Sequence, residues 1–166
     1  MTFENKIIEY FSSNLIKRVV DFNLSQELTN EDNLIISNIG LPNDILEFQF
    51  VNDISLLSKS EIIIGKTSNN SNIILNLESR KITRDSNLFL SKSLKNLILQ
   101  LYIYDILWKI DIPQKNFGNY RDNYNHKKYA KFLEMELLQI DRDLLKNDNG
   151  YFWGSLIEDI EFGIVG

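Results

Sequence analysis

Few side chains in this sequence have the types and spacings that could do chemistry. Gly65-Lys66-Thr67 matches the tail of a phosphate-binding loop, in which backbone N–H groups and a helix N-terminus cradle the anion. Such a loop needs a glycine five positions earlier, where Ser60 stands, and a helix afterwards, where an Asn/Ser-rich stretch follows instead. The expectation is a strand end turning into a hairpin. His126 is the single histidine. Its nearest acid in sequence is Asp122, and no serine sits in a glycine-flanked elbow, so no hydrolase triad takes shape. His126 reads as a residue near a helix start with no catalytic role. Asp141-Arg142-Asp143 offers two carboxylates that could hold a divalent ion, but the ligand spacing and turn glycine of a calcium loop are missing. A solvated loop is expected there. Cysteine is absent, which removes disulfides, thiolate metal sites and a cysteine nucleophile. Zinc and copper centres therefore lack their usual ligands. No catalytic, cofactor-binding or metal-binding residue is assigned, and the expectation is that the protein is not an enzyme.

Two groups of residues suit binding better than catalysis. The segment Gln114 to Asn125 reads as a loop carrying Phe117, Tyr120, Arg121 and Tyr124 among Asn, Gly and Lys. Binding loops favour these types because aromatic contact area comes at low entropic cost. The second group is Glu158, Asp159 and Glu161 on a final helix. Phe152, Leu156 and Ile160 recur every fourth residue as its inner stripe, so Glu158 and Glu161 should face water. Each group has two readings. The loop is a partner contact or a cover strapped over the core by its aromatics. The carboxylates are a plain solvated face or an acidic patch for a basic partner.

The elements that must position these residues come from a chain of 166 residues, 43% hydrophobic and 25% charged, a composition that belongs to one globular domain spanning 1–166. Lys plus Arg number 18 against 23 Asp plus Glu, a net charge of −5. That balance argues against direct nucleic-acid binding, which draws its affinity from a basic surface. The N-terminus shows no apolar run fit for a signal peptide. The most apolar window, Leu94 to Ile110, is interrupted by Lys95, Asn96, Gln100, Asp105 and Lys109. No membrane span is expected.

Phe3, Ile7, Phe11, Leu15 and Val19 predict an amphipathic helix over about 3–20. A second helix is expected over about 30–38, with Thr29 as its cap and Gly40-Leu41-Pro42 as its stop. Between Leu46 and Leu90 the pattern shifts to period two and short β-branched runs. Leu46–Phe50, Glu61–Gly65, Asn72–Leu77, Lys81–Thr83 and Asn87–Leu90 read as strands joined by tight polar turns. Ser91 or Ser93 then caps a long helix to about Lys109, apolar nearly all round and so buried on most sides, with Leu97, Leu101 and Trp108 in the core. A further helix over about 126–138 should turn Tyr129, Phe132, Leu133 and Leu137 inward. The fold class is α+β: a single antiparallel β-sheet flanked by helices.

Several of these segments, taken in order, resemble a known family. Gly40-Leu41-Pro42 follows the early helix. Ile63-Ile64-Gly65, a polar hairpin and Ile73–Glu78 come next, then Phe89–Leu94 at the start of the long helix. Ile140-Asp141, Tyr151-Phe152-Trp153 and Ile157–Gly163 close the set. In order and spacing they are similar to the SUKH superfamily of bacterial immunity proteins, in particular its fourth group, which is distantly Smi/Knr-like. The resemblance covers about Gly40 to Gly163 and implies a SUKH-like fold. It also implies a non-enzymatic protein that binds a cognate secreted polymorphic toxin, often a nuclease or deaminase, in the cytoplasm. Phe117, Tyr120, Arg121, Tyr124, Glu158 and Glu161 are the candidate partner-binding residues, and a monomer or weak homodimer is expected. The alternative is an adaptor or regulatory interaction module on the same fold.

Overall fold

The computed structural model of the chain describes residues 2–112, 123–146 and 150–164. Thr2 caps the first helix, α1 (Phe3–Phe11), by accepting the Asn5 N–H. The apolar stripe predicts this helix as far as residue 20, but it ends at Phe11. Ser12 takes a φ of 44°, outside the helical region. Leu15–Ile16 then forms a short strand, β1, antiparallel to β2 (Leu41–Pro42). Val19, part of the expected stripe, is 89% exposed. Asp21 caps a short helix, α2 (Phe22–Glu27), by accepting the Leu24 N–H; the sequence pattern does not signal it. Thr29 caps α3 (Asn30–Asn33) as expected. Its continuation, Leu34–Ile39, widens to a π-type winding closed by a bond from the Gly40 N–H to the Ile35 carbonyl. Gly40 sits at φ 100°, and a Cβ there would stand 2.9 Å from the Ile16 carbonyl carbon. The β1–β2 ribbon therefore closes over a glycine.

Six further strands follow: β3 (Asp44–Ile45), β4 (Phe48–Ser58), β5 (Glu61–Thr67), β6 (Asn72–Asn76), β7 (Ile82–Arg84) and β8 (Leu88–Ser91). They form one antiparallel meander in strictly sequential order. The α+β class holds, but the single sheet does not: the six-stranded sheet is accompanied by the separate two-stranded β1–β2 ribbon. The physical reason is Arg18. Its guanidinium donates to the carbonyls of Ile16 and Leu41 in the ribbon and of Phe50 (3.1 Å) and Val51 (3.0 Å) in β4. A side chain, in place of a backbone ladder, joins the ribbon to the sheet, and Pro42 has no N–H to donate to such a ladder. Register shifts in β4, at Phe50/Ser55 and Leu56/Ser58, and in β5, at Ile63/Gly65, mark bulges. Bulges bend a sheet, and this one is curled.

Ile62, Leu75 and Ile82 are cross-strand neighbours on the inner face, all fully buried. They meet α4 (Leu94–Ile106) in one contiguous core. Ser93 caps α4 by accepting the Asn96 N–H, and the helix continues in π-type winding from Leu107 to Asp111. Leu97 and Leu101 are fully buried, as the apolar circumference predicts, whereas Trp108 is half-buried. The Tyr10 hydroxyl donates to Asp105 at 3.0 Å and ties α1 to α4. Helix α5 (Asn123–Ile140) turns Tyr129, Leu133 and Leu137 inward. Phe132, also expected inside, is 36% exposed, because the stripe runs through Tyr129, Ala130, Leu133 and Leu137 and leaves it on the flank. Asp141 is buried, contrary to the solvated loop expected. It pairs with Lys92 at 3.2 Å and accepts the Asp143 N–H, so the end of α5 is pinned beside the start of α4. Helix α6 (Tyr151–Glu161) completes the described elements. Among the described residues no helix is long and apolar enough to cross a membrane.

Two stability outcomes follow from this packing. Leu101→Ala leaves a cavity in a fully buried site and should cost about 2–5 kcal/mol in chemical denaturation. Burial, and secondly the bond to Asp105, raises the Tyr10 phenol above its ordinary value. That contribution is present in full below pH about 10 and is lost as pH rises further, because the unfolded chain ionises first. Denaturation between pH 9 and pH 12 should therefore show (on the order of these limits) an alkaline decline that Tyr10→Phe flattens.

Candidate functional site

Helix α6 is placed by two aromatic residues and a glycine. A Cβ at Gly150, just before the helix, would stand 2.8 Å from the Leu145 carbonyl oxygen, so the chain enters α6 past a backbone that only glycine clears. Trp153 is fully buried, and its indole N–H donates to the Leu90 carbonyl of β8 at 2.9 Å. The Phe152 ring stacks tilted on Phe48 at 5.5 Å and edge-on to Trp153 at 5.1 Å. The sequence stripe Phe152–Leu156–Ile160 is therefore rotated. Trp153 and Ile160 are the fully buried positions, while Phe152 and Leu156 are half-buried.

That rotation turns the face Phe152–Ser155–Leu156–Asp159, spaced i, i+3, i+4, i+7, into the wall of a cleft of about 240 Å³. Leu46 and Glu47 from the β3–β4 turn, with Arg84 and Leu88 from the β7–β8 hairpin, form the opposite wall. The hairpin is tight: Asp85 and Ser86 have φ of 49° and 62°, and the Asn87 N–H reaches the Arg84 carbonyl at 3.2 Å. Positive φ at both central positions is the turn that matches strand twist. Asp85 also accepts the Asn72 N–H, and hydrogen bonds from Ser71 and Asn72 hold its carboxyl below the usual carboxylate range. Arg84 pairs with Glu47 at 3.1 Å, both half-exposed. Tyr151 stands on the rim, 67% exposed. The cleft thus offers an apolar floor, an aromatic rim and both signs of charge. These are groups that a protein partner could contact.

The carboxylates of α6 are not gathered on one face. Glu158 is exposed, Glu161 is half-buried and Asp159 turns into the cleft. None of the three has an ion-pair partner among the described residues. Phe117, Tyr120 and Arg121 lie outside the described residues. Tyr124 falls in the first turn of α5, where the helix already replaces the expected loop, and its side chain lies outside the description. His126 is buried, and a Cβ at Gly163 would come within 2.3 Å of its ring, so it packs under the turn that follows α6. Gly65-Lys66-Thr67 is the end of β5, with Gly65 close against the Gln49 carbonyl, as the strand reading expects. Among the described residues no group of three or more His, Asp or Glu could hold a metal ion. Tyr151, Glu47, Arg84 and Leu88 were not foreseen from sequence; the i, i+3, i+4, i+7 set on α6 was the available signal.

No family model, no curated protein and no solved structure matches the chain.

The two aromatic neighbours on α6 should behave oppositely on substitution. Tyr151→Ala should change stability by less than about 0.5 kcal/mol, because the ring is on the surface. Trp153→Ala should cost about 3–5 kcal/mol. Urea denaturation of the two variants checks the division between cleft rim and core.

Proposed function

We propose that the protein is a non-enzymatic immunity protein that binds and neutralises a cognate bacterial toxin domain in the cytoplasm. The ordered SUKH-like motifs support this reading. The observation that carries it is the α6 surface: an exposed Glu158 without an ion-pair partner among the described residues, beside a cleft rimmed by Tyr151 and lined by Asp159 and by Glu47 in its pair with Arg84. Neutralisation by such a surface needs no chemistry. It needs a complementary fit that blocks the toxin's active site or its substrate channel. A toxin that acts on nucleic acid carries a basic face for phosphates, and carboxylates presented on α6 would occupy that face. Charge of this kind mainly speeds encounter, while aromatic anchors slow release.

The test begins with the neighbouring gene, which this reading expects to encode a secreted protein with a C-terminal toxin domain; co-expression with that domain is followed by binding kinetics at two salt concentrations. Glu158→Lys/Glu161→Lys should slow association about tenfold at low salt and flatten its salt dependence. Tyr151→Ala should speed dissociation about tenfold. His126→Ala, if it folds, should leave protection of cells intact. Failure of the parent protein to bind the toxin or protect cells overturns the reading in favour of an adaptor module.

A further inference from the structure

A second concavity lies away from α6. It runs between α2 and the tip of the β4–β5 hairpin and encloses about 510 Å³. Phe22 and Leu56 face it from opposite sides, 78% and 61% exposed. Val19 and Leu57, close by in the chain, are 89% and 46% exposed. Phe22 and Leu56, left this open around one groove, mark a surface that meets something.

The charges on its walls say what. The α2 wall carries Asp21 and Glu27, and the hairpin wall carries Lys59. Asp21 is engaged as the cap of α2. Glu27 and Lys59 have no ion-pair partner among the described residues, although they line the same groove. Opposite signs on opposite walls, not paired with each other within one chain, form a self-complementary pattern. A two-fold axis through the groove lays the α2 wall of one copy on the hairpin wall of the other. Each Lys59 then meets a Glu27 of its mate, and Phe22 and Leu56 of both copies close the apolar centre. A uniformly basic partner would meet Asp21 and Glu27 but leave Lys59 facing like charge, whereas a second copy uses both signs. We propose that this groove is the contact of a symmetric dimer of this chain, an isologous interface in which one patch serves both subunits.

Sedimentation equilibrium of the purified protein, from micromolar to millimolar concentration, tests it. The parent should reversibly dimerise. Lys59→Glu and Glu27→Lys should each weaken dimerisation at least about tenfold, because each sets like charges across the contact. An equimolar mixture of the two single variants should associate again, as should Glu27→Lys/Lys59→Glu, since both arrangements restore opposite charges. Phe22→Ser should abolish the dimer while leaving the melting temperature near that of the parent. A parent that stays monomeric throughout, or single variants that dimerise as well as the parent, would overturn the proposal. So would a mixture no stronger than its components. If one charge variant fails to fold, Phe22→Ser and the double variant decide alone: dimerisation unchanged in Phe22→Ser, or absent in a folded double variant, counts against the proposal.

Discussion

One buried cation organises the N-terminal half of the molecule. The Arg18 guanidinium is enclosed by backbone carbonyls of Ile16, Leu41, Phe50 and Val51, drawn from three separate segments, and no carboxylate faces it in these bonds. Burial lowers its pKa, yet an arginine stays charged at any ordinary pH. The cation must therefore keep its carbonyl partners, and the segments that carry them must stay together around it. This need fixes the β1–β2 ribbon beside β4. It also explains why the chain abandons its helix at Phe11: continuing the helix through Arg18 would withdraw the cation from the sheet. A flexible ammonium carries three donors where the planar fork carries five, so arginine is the side chain that suits this junction.

The other half of the molecule is organised around Trp153. Its bond to Leu90 and its full burial fix the rotation of α6 about its own axis. Everything on the cleft side follows from that rotation: Phe152 on Phe48, Leu156 toward Leu88, and Asp159 in the same hollow as Glu47. The two halves meet in the sheet, where β4 holds Arg18 at one position and Phe48, under the cleft, a few residues earlier. Ion pairs at Lys92–Asp141 and Lys95–Glu31, with the Tyr10–Asp105 bond, tie the helices together across α4.

The meander was legible in the sequence because its signals are local. A β-branched run, a polar turn and another run determine a hairpin without reference to distant residues. The Thr29 cap was legible for the same reason, and the α4 cap as one of two serines, Ser91 or Ser93, of which Ser93 takes the place. What escaped was set by long-range contacts. Leu15 and Val19 continue a helical period, but the pairing with Leu41–Pro42 and the demand of Arg18 override it. On α6 Ile160 is buried as its spacing predicts, but Trp153 takes the other fully buried place and leaves Phe152 and Leu156 half-buried. Asp141 looks like a solvated loop residue until Lys92, far earlier in the chain, closes on it. In the candidate site, α6 was legible as an element with exposed Glu158. The opposite wall was not, because Glu47 and Arg84 meet only after the sheet has curled.

The strictly sequential order of β3 to β8 also has a bearing on how the molecule is made. Each strand pairs with the one just synthesised, so the sheet can form from contacts of short sequence separation, which are the quick ones. The Trp153–Leu90 bond spans 63 residues and belongs to the slow class. The cleft joins both ranges of contact, because one wall comes from neighbouring strands of the meander and the other is α6, brought back across 63 residues to β8.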